Sequence, residues 1–252
     1  MTVRTETAGR TFVITIDRPA VRNAVDAVTS ELLAAAFDEL DARPDVTVGV
    51  LAGAHGHFCA GLDLRAFLAG QRPSIPERGF AGLVRRPPQK PLIAAVEGAA
   101  LGGGFEMVLA CDLVVAAQDA FFGQLEVTRG LVASGGGLMR LPRKIPRNIA
   151  LEWILTGARI SASRAHEVHL VNRLVPSGEA LARALELAEE VGRNGPLAVR
   201  ASKQIVVESQ DWTDAEFFQR QAEISDPVRA SADAQEGARA FVEGRRPEWT
   251  GR

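Results

Sequence analysis

The stretch Gly98-Ala99-Ala100-Leu101-Gly102-Gly103-Gly104-Phe105-Glu106 decides how this chain is read. An apolar run, Leu92 to Val96, leads into it, and apolar residues at helical spacing follow, so the glycines stand where a strand gives way to a helix. Glycine lets a ligand approach the backbone, and the N–H groups of a helix start point at any electron-rich oxygen placed before them. A dinucleotide loop is the competing reading, but no G-x-G-x-x-G register fits and no lysine follows as in a phosphate loop. Close packing of helix on strand is the plain alternative. Glu106 lies one helical turn beyond Gly103, on the same face.

Outward from that point the strand and helix signals alternate. Val3 to Asp17 carries two period-2 runs around Ala8-Gly9-Arg10, a hairpin pattern, and an amphipathic helix follows over Val25 to Leu40. Val46 to Leu51, Leu92 to Val96 and Leu113 to Ala117 read as buried strands, with helices over 62–68 and 104–110 between them. The order predicts an α/β fold with largely parallel pairing. Between Gly70 and Lys90, four prolines and two internal glycines break any periodicity, which predicts an exposed, mobile connection able to act as a lid. Beyond Pro142 the pattern is helical throughout, over 145–155, 162–168, 179–193, 196–209, 213–224 and 227–242.

Composition narrows the function. The chain has 252 residues, 46% hydrophobic and 24% charged, enough apolar material for one sizeable core. Twenty-nine basic residues against thirty-one acidic ones leave no positive field for a nucleic acid. Two cysteines, Cys59 and Cys111, make neither a disulfide framework nor a cysteine zinc site, and point to the cytoplasm. No apolar run approaches the roughly 18 residues of a membrane span. The first residues alternate polar and apolar without the features of a signal peptide.

Two further features carry chemistry. Phe58-Cys59-Ala60-Gly61-Leu62-Asp63-Leu64 is a second turn from a strand end into a helix. Convergence of the Ala60 and Gly103 N–H groups would make an oxyanion hole. Glu126, after Phe121-Phe122-Gly123-Gln124, supplies a second carboxylate flanked by apolar residues. Two carboxyls in one apolar pocket separate into an acid and a base through repulsion and desolvation. Taken singly, Glu106 reads first as a first-turn acid favouring the helix dipole and Glu126 first as a plain surface charge. Ser134 lacks the glycine of a nucleophile elbow, and His166 and His169 stand at i and i+3 instead of the i+4 of a metalloprotease helix. His55 and His57 flank a glycine in a turn.

Four strings together resemble the enoyl-CoA hydratase and isomerase (crotonase) family. They are Asp17-Arg18-Pro19 through Asn23-Ala24, Phe58 through Leu64, Gly98 through Glu106, and Phe122-Gly123-Gln124-Leu125-Glu126, with Glu236 through Phe241 resembling the family's C-terminal helix. The resemblance implies a crotonase-like spiral of repeated ββα units over 1–194. It also implies a helical region over 195–252 that joins subunits into trimers or hexamers. It implies an acyl-CoA thioester whose carbonyl lies between the N–H groups of Ala60 and Gly103. Glu106 and Glu126 would flank a water, the segment Ala60, Gly61, Leu62, Asp63 and Leu64 would line the coenzyme path with Gly102 near the carbonyl, and Arg22 would stand near the phosphates.

The same resemblance implies hydration of a trans-2-enoyl-CoA with no metal and no further cofactor. A double-bond isomerase using Glu126 alone, a carnitinyl-CoA dehydratase-like enzyme, and an acyl-CoA-binding or RNA-binding relative are the alternatives. Near-neutral charge and only three lysines count against RNA. Two positions depart from the family pattern: Leu125 replaces a frequent proline, and Gly244 replaces a lysine that reaches coenzyme A, leaving Arg245 or Arg246 to substitute.

Overall fold

A computed structural model describes residues 2–252. The period-2 runs at the N-terminus form the antiparallel hairpin β1 (Val3–Ala8) and β2 (Thr11–Ile16), and helix α1 (Ala27–Ala42) follows, capped by Asp26. Then come β3 (Val48–Gly53), α2 (Leu64–Leu68), a small hairpin of β4 (Ser74–Ile75) and β5 (Gly79–Phe80), β6 (Leu92–Val96), β7 (Ala99–Leu101) and α3 (Gly103–Ala110). β8 (Leu113–Ala117), β9 (Phe121–Gly123), α4 (Gly137–Lys144), α5 (Arg147–Thr156), β10 (Ile160–Ser161), α6 (Ala162–Glu167), β11 (Arg173–Val175) and α7 (Ala180–Gly192) complete the body. Three helices end the chain: α8 (Pro196–Glu208), α9 (Asp214–Arg229) and α10 (Ala232–Glu243).

Apart from the β4–β5 hairpin, the strands make two sheets. One has the order β1-β2-β3-β6-β8-β11 and is parallel from β2 onward; the other has the order β10-β9-β7, with β7 and β9 parallel. A parallel bridge between Cys59 and Ala100 extends the second sheet toward the chain that follows β3. Each turn of the chain therefore lays one strand in each sheet and closes with a helix: β3, the Cys59 bridge and α2; β6, β7 and α3; β8, β9 and α4. This is the spiral of ββα units that the resemblance implied.

Alternation along the buried strands divides the core. Val48, Val50 and Ala52 of β3 face α7, whose Ala180, Ala184 and Ala188 recur every fourth residue and admit the helix close to the sheet. The opposite face meets the larger core of Phe12, Leu33, Phe37, Leu40, Phe58 and Phe105 between the sheets. Phe105 and Phe122 stack with ring centroids 5.4 Å apart, fixing α3 against β9 beneath the glycine turns.

Three expectations change. Residues 70–90 are not an exposed connection throughout, because Ala81, Leu83 and Val84 are buried in the main core and Lys90 donates from Nζ to the Leu40 and Arg43 carbonyls. Pro227 does not start a helix: α9 runs through it to Arg229, and the break falls at Ser231, whose hydroxyl accepts from the Ala234 amide. Helix α4, opened by Gly136 in a left-handed conformation, is an element the helical pattern did not resolve. Among the described residues no helix is long and apolar enough to cross a membrane.

Candidate active site

The two glycine turns meet side by side. The Cys59 amide donates to the Ala99 carbonyl at 2.9 Å and the Leu101 amide to the Cys59 carbonyl at 3.0 Å, which aligns the 58–63 segment with β7. Gly61 has φ of +93°, and a β-carbon there would stand 2.5 Å from the Leu101 oxygen and 3.1 Å from the Gly103 nitrogen. Only a glycine permits that approach. Gly102 also has a positive φ, +53°, and its amide donates to the Gly123 carbonyl at 2.8 Å.

The two turns lie against each other, but Ala60 is not a free donor there. The Ala60 amide donates to the Arg22 carbonyl at 3.0 Å, so it is committed within the fold and points away from Gly103. The Val25 amide donates to the Gly61 carbonyl at 2.8 Å and the Asp63 amide to the Val25 carbonyl at 3.0 Å. Those bonds flank Leu62 on one side and turn its own N–H to the other, where it meets no acceptor among the described residues. Gly103 opens α3, and its N–H is also without an acceptor, as first-turn amides are. Leu62 and Gly103 thus each present an unspent N–H where the two turns lie against each other. Which amide of a short turn is spent depends on Arg22, some forty residues earlier, and no local sequence signal shows it.

Several residues of this segment serve the framework. The Asp63 carboxylate caps α2 by accepting from the Arg65 and Ala66 amides, and pairs with Arg18 at 3.1 Å. Arg18 pairs also with Asp26, the cap of α1, at 2.8 Å. One guanidinium therefore ties the starts of two helices together and holds the turn bearing Leu62. Asn23, fully buried, accepts from the Arg18 amide and donates to the Ala54 and His57 carbonyls. These contacts explain the Asp17-to-Ala24 string as a brace. Cys59 is buried, which pushes its thiol up to about 12 and leaves it inert. Leu64 and Arg22 stand exposed at the rim.

Glu106 is only 4% exposed although it is ionisable. The Gly137 amide donates to its Oε1 at 2.9 Å, and a β-carbon on Gly135 would stand 2.4 Å from its Oε2. Burial raises its carboxyl to about 7, the Gly137 hydrogen bond opposes the rise, and the charge of Glu126 adds to it. Glu126 opens a 3-10 turn, Glu126–Arg129, and is half-buried. Gln124 Nε2 donates to both its oxygens, at 3.0 and 2.9 Å. The ring of Phe80 covers Gly103: a methyl added there would meet it at 2.6 Å. A carboxyl poised near neutrality, a second carboxylate electrostatically coupled to it and two unspent N–H groups make a site suited to proton transfer beside a carbonyl that gains negative charge. Among the described residues, no three His, Cys, Asp or Glu side chains gather as a metal site.

The spiral and these paired turns define the crotonase class. The chain belongs to the enoyl-CoA hydratase/isomerase family, whose family model matches residues 6–252. It is 41% identical over 256 residues to the enoyl-CoA hydratase EchA19 of Mycobacterium tuberculosis, covering 98% of this chain and 96% of that one. It is 37% identical over 254 residues to the carnitinyl-CoA dehydratase of Proteus mirabilis, covering 98% and 97%. The crystal structure of the enoyl-CoA hydratase EchA1 from Mycobacterium marinum superposes with a TM-score of 0.98 at 52% identity, covering 100% of this chain and 99% of that one.

Proposed function

We propose that this protein is an enoyl-CoA hydratase, an enzyme of the hydro-lyase type that adds water reversibly to a trans-2-enoyl-CoA. The observation that carries the reading is the buried carboxyl of Glu106 facing the charge of Glu126 beside the unspent N–H groups of Leu62 and Gly103. The thioester carbonyl accepts from those two amides, and negative charge developing on its oxygen meets donors already fixed in place. One such donor is worth roughly 3 to 4 kcal/mol in a transition state.

Water attacks the β-carbon while ionised Glu106 takes its proton, and the carboxyl of Glu126 gives a proton to the α-carbon. The pair carries one proton before and after the step; only its location changes. In dehydration the same proton starts on Glu106, leaves with the β-hydroxyl as water, and is replaced on Glu126 by the α-proton. The ligand-free site, with Glu106 raised to about 7, is set toward that second arrangement. The reaction runs on protein groups alone, without metal or added cofactor. The coenzyme lies along 61–64 with Arg22 at its phosphates; Ala60 supports that path through its bond to Arg22.

The chain also assembles with copies of itself, as a trimer or a pair of trimers. In the single chain α8 and α9 bury no residue and α10 buries only Asp233 and Ala240, while Phe218, Phe241 and Val242 stand 77%, 87% and 84% exposed. Such helices need a partner surface. Gly244 ends α10 in a left-handed conformation, and Arg245 is held by Glu236 and Glu243, so Arg246 is the cation available to a neighbour's coenzyme. A mass of one chain by light scattering would refute the assembly. For the reaction, crotonyl-CoA should lose its conjugated-thioester absorbance with the mass gain of one water; inertness toward trans-2-enoyl-CoAs of every chain length would refute the hydratase.

A further inference from the structure

Gln124 joins β9 to the turn that begins with Glu126 and is 1% exposed. The reaction drawn above gives it no part. Its Nε2 sits astride the Glu126 carboxylate, and no other donor holds that carboxylate among the described residues. Its Oε1 has no partner among the described residues and is sealed from solvent. On that side lies Gly137, where an added β-carbon would stand 2.4 Å from Gln124 Oε1 and 3.1 Å from Glu106 Oε1. The Gly137 amide in turn holds Glu106. An unbroken line of contacts thus runs Glu126, Gln124, Gly137, Glu106.

The orphan oxygen is informative. Buried carbonyls are nearly always satisfied, and one left bare is costly. Turning the amide over would not relieve it, because its oxygen would then face a carboxylate that needs a donor. The bare Oε1 is therefore the consequence of aiming the NH2 group at Glu126.

We propose that Gln124 is a positioning residue that aims the Glu126 carboxylate and, by bearing on Gly137, sets its separation from Glu106. The inference rests on the hydratase reading, in which Glu126 serves the α-carbon. Gln124→Leu keeps the approximate shape and removes both the donor and the orphan acceptor. Gln124→Glu keeps the shape and sets a negative charge against Glu126. Each would be measured for thermal midpoint, for kcat and KM with crotonyl-CoA, and for exchange of the α-hydrogens of butyryl-CoA in deuterium oxide.

That exchange needs Glu126 and the two amides but no attacking water, so it isolates one carboxyl. For Gln124→Leu the expectation is a midpoint equal to or above wild type. Its kcat should fall up to about 100-fold, the cost of a displacement of about an ångström, with KM little changed and exchange slowed in proportion. Gln124→Glu should lose kcat and exchange alike. A Gln124→Leu enzyme within twofold of wild type in kcat, or one whose exchange is untouched, overturns the proposal. So does a loss of kcat accompanied by a lowered midpoint in both variants, which marks a structural part only. Failure of the wild type to hydrate or exchange would instead sink the hydratase reading, independently of any ratio between variants.

Discussion

The surroundings of Glu106 and of Glu126 differ in almost every respect. Glu106 sits in the first turn of a helix whose eight residues are all buried and is held by a backbone amide. Glu126 opens a short turn whose next residues are exposed and is held by a single side chain. Burial and the neighbouring charge raise Glu106 to about 7. The lesson is that an acid and base can be distinguished by their supports as much as by their neighbours: one carboxyl is positioned by main chain, the other by a replaceable amide.

The comparison breaks most directly on Glu106→Gln. General acid–base groups contribute about 10² to 10⁴ in rate, so hydration of crotonyl-CoA should fall by that order, whereas α-hydrogen exchange of butyryl-CoA should fall far less. Glu126→Gln should abolish both. Hydration surviving within tenfold in Glu106→Gln would refute the part given to Glu106, and 3-enoyl-CoA isomerisation left little changed by it would hand the site to the isomerase reading, with Glu126 as the only shuttle.

The same Glu106→Gln protein sharpens the comparison in stability. A carboxyl raised from 4.5 to about 7 binds its proton more tightly in the folded state than in the unfolded one. Its contribution to stability is complete below 4.5 and is lost as pH rises to about 7; above that the wild type carries a desolvated charge costing at most roughly 3 kcal/mol. The variant has no such charge. Its gain over wild type in urea titrations should grow between pH 4.5 and 7 and then level off; a constant difference across that window would refute the cause assigned here.

A Cβ at Gly135 would press Glu106 Oε2 at 2.4 Å, and its three nearest neighbours would all be atoms of the Glu106 carboxyl. Gly135→Ala should therefore lower kcat for hydration, by about tenfold for a small displacement, and spare exchange. The smallest effect is in pH. Because hydration takes up no net proton, kcat/KM in the two directions must share one profile, and both should fall above about pH 7 as the pair loses its single proton. An alkaline limb near pH 9 would contradict the burial of Glu106 as its cause.

Much of this site was legible in the sequence because glycines and carboxylates mark it locally. Gly102 and Glu106 lie near Glu126, and the buried strands fall where continuous apolar runs placed them. Leu62 was legible only as a lining residue, since the freedom of its N–H depends on Val25 and Arg22 claiming the amides and carbonyls around it. The three-residue strands β7 and β9 are too short to show a period, and the interior half of 70–90 was masked by its prolines, which bend the chain without keeping Ala81, Leu83 and Val84 out of the core. Gln124 gave no signal because an amide beside a glutamate is unremarkable until its other end proves to be bare.

The fully buried helix α3 has one more consequence, and it concerns what such a scaffold lets evolution change. A helix enclosed on every side cannot be repacked without disturbing the core, so the floor of the site tolerates little sequence drift. By contrast Leu64, Leu68, Val127, Val132, Leu138 and Met139 are exposed and contribute little to that core. Substitution at such exposed positions costs folding little, so sequence change in this chain is cheap on its outer apolar side chains and expensive on α3.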